Sequence, residues 1–146
     1  MKIINKLDRL DTDLINELVK DSSVSIPDLS IKLGFGTSVL YSRINRLIKK
    51  GIIEKFTIKI NYIKLGFCVN AIVGINTTVK LKKIIYEKLS KISEISSISE
   101  TAGRFDTLIK IRVKNLQTLH DLINNKLSTI EGINNTEIFI ELQKYE

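Results

Sequence analysis

One cysteine, one proline, one histidine and no tryptophan stand among these 146 residues. With Cys68 alone, neither a disulfide framework nor a Cys–Cys redox pair can form, and with His120 as the sole imidazole a structural zinc site within one chain is excluded too. Such a set leaves few ways to build a nucleophile–base dyad, so no catalytic residue, metal ligand or cofactor is assigned. No apolar run approaches the roughly 20 residues that cross a bilayer, so no membrane partner is expected. The opening segment MKIINKLDRLD carries charges where a secretory leader needs apolar residues, which points to the cytoplasm. Internal repeats, low-complexity tracts and Gly/Ser linkers are also absent. What is present is a 43% hydrophobic fraction, enough for a real core, which excludes wholesale disorder. The length allows one ordinary domain or two small ones.

The formal net charge is +7. Basicity alone suggests an anionic partner such as nucleic acid. Its distribution sharpens that suggestion. Residues 1–66 hold 12 Lys and Arg against 7 Asp and Glu, whereas residues 67–146 hold 11 against 9. The positive charge therefore concentrates in the N-terminal part.

That part reads as three short helices. The first runs from about Asp8 to Asp21, with Leu7, Leu10, Leu14, Ile15 and Leu18 at helical spacing and Asp8 and Asp11 placed to cap its first turn. A second follows Ser25, with Pro27 in its first turn and Leu29 and Leu33 facing inward. Gly34-Phe35-Gly36 breaks the chain. A third helix runs from about Thr37 to Lys50 and stops at Gly51, a C′ glycine. Beyond it the period changes: Phe56, Ile58 and Ile60 alternate with Thr57 and Lys59, which predicts a strand. The remainder reads as strand 68–77, helix 80–91, strands 95–102 and 107–114, helix 116–129 and strand 136–143. This β-α-β-β-α-β order is the ferredoxin-like arrangement. The expected fold class is thus α+β: a (winged) helix-turn-helix domain over 1–52, a strand and linker over 53–66, and a ferredoxin-like domain over 67–146. Two helices cover one sheet face, and a second subunit is the simplest cover for the other.

A short helix, a glycine turn and a basic helix make a helix-turn-helix, whose second helix enters the major groove. With Ile44 taken as the centre of the buried arc, Leu40, Leu47 and Ile48 share it. Ser38, Ser42, Asn45, Arg46 and Lys49 then lie opposite, flanked by Thr37, Tyr41 and Arg43. Between Gly36 and Gly51 there are four basic residues, Arg43, Arg46, Lys49 and Lys50, and no acid. Arg, Asn and Ser can read base edges while Lys and Thr hold phosphates. The bland alternative is a solvated basic helix face, and the preceding helix, turn and following strand argue against it.

Several segments, taken together, resemble the Lrp/AsnC (feast/famine) transcription regulators over nearly the whole chain. LDRLDTDLINEL is similar to that family's opening helix, SIPDLSIKLGF to its second, and RINRLIKKGII to the R-I-x-R-L-x-x-x-G-x-I ending of its recognition helix. INYIKLGF resembles the connecting element, and Gly103-Arg104-Phe105-Asp106 the G-x-[FY]-D between two effector-domain strands. There are departures. Gly36 stands where serine is usual, Asn61-Tyr62 where Asp-Pro is usual, and Thr136 with Ile138 where two threonines are frequent. Gly36 can still cap the recognition helix, or Thr37 or Ser38 take that role.

The resemblance implies a sequence-specific regulator of double-stranded DNA, cytoplasmic and nucleoid-associated. It implies homodimers that assemble into tetramers or octamers, and a free amino acid as effector. Thr37, Ser38, Tyr41, Ser42, Arg43, Asn45, Arg46, Lys49 and Lys50 are the expected DNA-binding set. Gly103, Arg104, Phe105, Asp106, Thr136 and Ile138 are the expected effector set. In it, Asp106 offers a carboxylate to an ammonium, and Arg104 and the Gly103 amide offer donors to a carboxylate. Ile138 argues for an apolar side-chain pocket. The competing reading of Gly103–Asp106 is a plain turn between strands. Outside these sets, His120 reads as a solvated helix residue, Cys68 as a buried core thiol, and Lys80, Lys82 and Lys83 as the solvated start of a helix. Two other functions fit less well. One is an architectural, chromatin-like DNA-binding protein. The other is an enzyme resembling the haem-biosynthesis decarboxylases that share this two-domain pattern; it would need imidazoles and basic groups around an acidic tetrapyrrole.

Overall fold

A computed structural model describes residues 7–145; residues 1–6, with which the expected first domain begins, and Glu146 lie outside the described residues. The chain divides into two compact units between Lys59 and Ile60.

In the first unit, α1 (Arg9–Lys20), α2 (Ile26–Leu33) and α3 (Thr37–Lys49) surround Leu10, Leu14, Leu29, Leu40, Ile44 and Leu47. Local chemistry sets each boundary. Asp8 and Asp11 form a reciprocal capping box at the start of α1. Ser25 caps α2, and Gly34 ends it in the left-handed region at φ 74°. At the end of α3 the Ile52 amide donates to Leu47 O and the Gly51 amide to Ile48 O, the Schellman pattern. Gly51, at φ 72°, supplies the conformation that pattern requires. Ile52 and Ile53 fold back onto the core.

Two expectations fail here. Ile48 is exposed, because the buried arc of α3 centres on Leu40 and Leu47 rather than on Ile44, a rotation of roughly 50° at 100° per residue. The strand expected over 56–60 does not form; residues 54–61 have no regular structure, and Phe56, Ile58 and Ile60 are exposed. A strand needs hydrogen-bonding neighbours, and among the described residues of this unit there is no other strand to provide an edge.

The second unit is a four-stranded antiparallel sheet in the order β2-β3-β1-β4, built from β1 (Val69–Thr77), β2 (Ile95–Glu100), β3 (Thr107–Val113) and β4 (Ile133–Ile140). Helices α4 (Lys82–Ser90) and α5 (Leu116–Leu122, extended by a π turn over Ile123–Leu127) complete the β-α-β-β-α-β order. The helices bury one face: Ala71, Val73 and Ile75 of β1 and Ile109, Ile111 and Val113 of β3 pack on Ile85, Leu89, Leu119 and Leu122. The other face carries Ile72, Leu108 and Phe139 among polar neighbours, and Phe139 is about half exposed. β4 starts three residues earlier than the sequence pattern indicates, and Asn135 (φ 45°) marks a bulge where its register on β1 shifts. Cys68 is exposed, not buried, because it precedes the first strand residue.

Candidate functional site

The exposed arc of α3 presents Thr37, Ser38, Tyr41, Ser42, Asn45, Lys49 and Lys50, joined by Ile48. The two arginines placed on or beside this arc are engaged elsewhere. Arg46 Nη2 donates to Asp11 Oδ2. Arg43 Nη1 donates to Asp8 and, at 3.1 Å, to Asp11 Oδ1. Asp11 is wholly buried, and both its oxygens are taken. The Asp11 amide bond, and then the Arg43 guanidinium, hold the Asp8 carboxyl below its usual range. The side-chain bond to Asp8, then that to Asp11, raises Arg43. The same rotation of α3 that exposes Ile48 turns Arg43 and Arg46 toward α1. Gly36 is the N-cap, with no side-chain cap from Thr37 or Ser38.

In the second unit the Gly103–Asp106 loop joins β2 to β3. Phe105 turns back over the open sheet face and lies flat on Gly74, where a Cβ would come within 2.5 Å of its ring. Asp106 points inward. Its carboxylate accepts from the Thr77 amide at 2.8 Å, the Thr77 hydroxyl at 3.1–3.2 Å and the Thr107 hydroxyl at 2.7 Å. Burial pushes its pKa up, but the Thr77 amide, the two hydroxyls and the Lys82 charge outweigh it, leaving it lowered. Asn76 bridges the loop, accepting from the Asp106 amide at 3.0 Å and donating to Arg104 O at 3.2 Å. Asp106 is therefore a built-in fastener: three donors already engage its two oxygens, so most of its acceptor capacity is spent on holding the loop rather than offered to an ammonium.

A cleft of about 590 Å³ opens beside this loop, lined by Asn76, Arg104, Phe105, Asn135, Thr136 and Glu137. It gathers Arg104, Phe105 and Thr136 from the expected set but not Gly103, Asp106 or Ile138. Ile138 sits opposite Val73, on the helix-covered face, whereas Glu137 sits opposite Gly74 beneath Phe105. Ile138 therefore gives this cleft no apolar wall. Glu137 is the carboxylate that the sequence reading missed. One of its oxygens, Oε2, is buried without a hydrogen bond and stands 3.5 Å from Arg104 Nη2, longer than the 2.7–2.9 Å of a charge-assisted bond. Arg104 is largely exposed and lies over the Phe105 ring at 5.4 Å. Only the pairing of β4 with β1, which sets Glu137 opposite Gly74, brings it to Arg104, and that pairing is not written in the local sequence.

A hollow of about 680 Å³ on α4 is mostly apolar, and its Lys82 is tied to Glu100. His120 is exposed beside Asn124 and Asp121. Among the described residues no His, Cys, Asp or Glu cluster could hold a metal ion, and no helix is long and apolar enough to cross a membrane.

Residues 7–54 match the model of a winged helix-turn-helix DNA-binding domain, and residues 70–146 that of the Lrp/AsnC ligand binding domain. An uncharacterized HTH-type transcriptional regulator of Pyrococcus furiosus is 38% identical over 133 residues, 89% of either chain. The HTH-type transcriptional regulator FL11 of the same organism is 33% identical over 140 residues, 96% of this chain and 92% of that one. Among solved structures, E. coli AsnC superposes with a TM-score of 0.89 at 25% identity over 96% of this chain and 95% of its own. A feast or famine regulatory protein from M. tuberculosis, solved with L-methionine, does so with 0.87 at 25% identity over 97% and 95%.

Proposed function

The chain belongs to the Lrp/AsnC family of DNA-binding transcription regulators and not to an enzyme family, and from that premise we propose that it reads its operator as a homodimer and answers to a free amino acid. The observation that carries the DNA half is the continuous exposed arc of α3. Asn45, Ser38 and Ser42 face base edges there, and Lys49, Lys50 and Thr37 face phosphates. Arg43 and Arg46 act as braces between α3 and α1 rather than as readers. The site of action is the cytoplasm, on the nucleoid.

Dimerisation is supported by two apolar surfaces: the open sheet face with Ile72, Leu108 and Phe139, and the exposed, alternating side chains of Phe56, Ile58 and Ile60. Further association into tetramers or octamers belongs to the same reading. A two-fold dimer requires a pseudo-palindromic site with half-sites one helical turn apart, or a multiple of it.

The effector half rests on the cleft beside Phe105. A zwitterion needs a cation for its carboxylate and a carboxylate for its ammonium, and the loosely paired Arg104 and Glu137 supply both. Asn76, Asn135 and Thr136 give the cleft a polar lining, so an amino acid with a polar side chain suits it better than the apolar one Ile138 suggested. The relative solved with L-methionine supports the ligand class. Selection of bound sequences from random DNA, repeated with each of the twenty amino acids, tests both halves. A discrete pseudo-palindrome whose enrichment shifts with an amino acid is expected. Uniform recovery of all sequences would favour the architectural alternative.

A further inference from the structure

Of the four cations on α3 and its C-cap, two are neutralised within the protein. Arg43 and Arg46 face Asp8 and Asp11, two charges against two, across 32–35 residues of sequence. The acids are themselves fixed: the Asp11 amide donates to Asp8 Oδ1 at 2.9 Å and the Asp8 amide to Asp11 Oδ2 at 3.2 Å, so their position is set by the first turn of α1. The arginines remain within reach of solvent, with side chains 26% and 41% exposed, at the flank of the arc that carries Ser42 and Lys49. Lys49 and Lys50, by contrast, have no ion-pair partner among the described residues. A guanidinium beside a DNA-facing arc is a ready phosphate ligand, and a phosphate contact strengthens binding to every sequence alike.

We propose that Asp8 and Asp11 limit non-specific DNA binding: acting through Arg43 and Arg46, they withhold two phosphate-binding charges from the recognition helix. The inference rests on α3 being the helix that faces DNA. Its consequence is a larger free pool of regulator, because competing genomic sites outnumber operators by many orders of magnitude.

Asp8→Asn is the cleanest probe, since asparagine caps a helix as well as aspartate does, while the two arginines are left with one carboxylate. Binding to a random-sequence duplex is measured against salt for wild type, Asp8→Asn, Arg43→Gln, the double variant and Asp13→Asn. Asp13 lies on the same helix, its side chain half exposed, beside Arg9 and not beside the α3 arginines. Asp8→Asn is expected to tighten random-DNA binding more than Asp13→Asn does. Its log–log salt slope should be more negative by about 0.9, so that the loss between 50 and 200 mM salt grows roughly threefold. Arg43→Gln alone should leave the slope unchanged, and in the double variant it should abolish the gain. The proposal is overturned if Asp8→Asn matches Asp13→Asn, if the gain survives without Arg43, or if Arg43→Gln by itself flattens the slope. Lys49→Ala is run alongside; an unchanged slope there would remove α3 from the DNA face, and the inference would fall with that reading.

Discussion

Each unit gathers around one aspartate, and the two keep opposite company. Asp11, wholly buried, is met by two guanidinium groups from a helix more than thirty residues away. Asp106 is met by neutral donors, the Thr77 amide and the hydroxyls of Thr77 and Thr107. Cations held against a buried carboxylate lock two helices together but are spent as ligands for anything else. Neutral donors hold a loop too and leave its cation, Arg104, only loosely paired with Glu137 beside the cleft. The first unit thus gives up two of its four recognition-helix charges for rigidity, and the second keeps its one.

The comparison is broken most severely by removing either centre. Asp11→Ala strands Arg46 at the α1–α3 contact, leaves Arg43 with Asp8 alone, and is expected to cost about 3 kcal/mol, the lower end for a buried pair because the arginines retain some solvent. Residue-resolved hydrogen exchange should show the loss confined to the first unit. Asp106→Ala leaves the Thr77 amide without its acceptor and is expected to cost about 2 kcal/mol, in the second unit. Its lowered pKa makes the second unit sensitive to acid, as the lowered Asp8 does the first. The stabilisation from Asp106 is complete above the ordinary carboxyl value of 3.8 and is lost as pH falls through the lowered folded value. Glu94, held down chiefly by its bond from Lys126, adds to that loss from 4.5 downward. Acid titration followed by circular dichroism should therefore show the second unit losing stability below about pH 4.

A smaller effect separates readers from braces on α3. Asn45→Ala should cost about 1–2 kcal/mol at the operator and relax base preference there. Arg46→Ala should lower stability while leaving base preference at the operator unchanged, which competition binding with single-base operator variants would check. The smallest effect concerns Gly36, which caps α3 with extended backbone (φ −62°, ψ 149°) and open space about its Cβ position. Gly36→Ser should raise the urea midpoint of the first unit by the equivalent of about 0.5 kcal/mol, through a new cap bond and a less flexible unfolded chain.

Most of the architecture was legible because it is written locally. Capping residues and the glycine stops at Gly34 and Gly51 each declare an element boundary without reference to the rest of the chain. Most of the differences involve partners distant in sequence. Arg43 and Arg46 look like ligands for DNA until Asp8 and Asp11 arrive from another helix. Asp106 looks like a free carboxylate until Thr77 closes on it from β1. Phe56, Ile58 and Ile60 have a strand's alternation but form no strand. Glu137 faces the loop only through the pairing of β4 on β1, which sets it opposite Gly74. The proposed effector cleft needs that pairing, so its loop was visible in the sequence and its acidic partner was not.

The central claim is that the exposed arc of α3, and not its arginines, reads DNA. The direct test is selection from random duplexes with wild type, Asn45→Ala and Arg43→Gln in parallel. The account predicts one pseudo-palindromic site for wild type, the same site for Arg43→Gln, and loss of preference at two symmetry-related positions for Asn45→Ala. An altered site for Arg43→Gln with Asn45→Ala indistinguishable from wild type would contradict it.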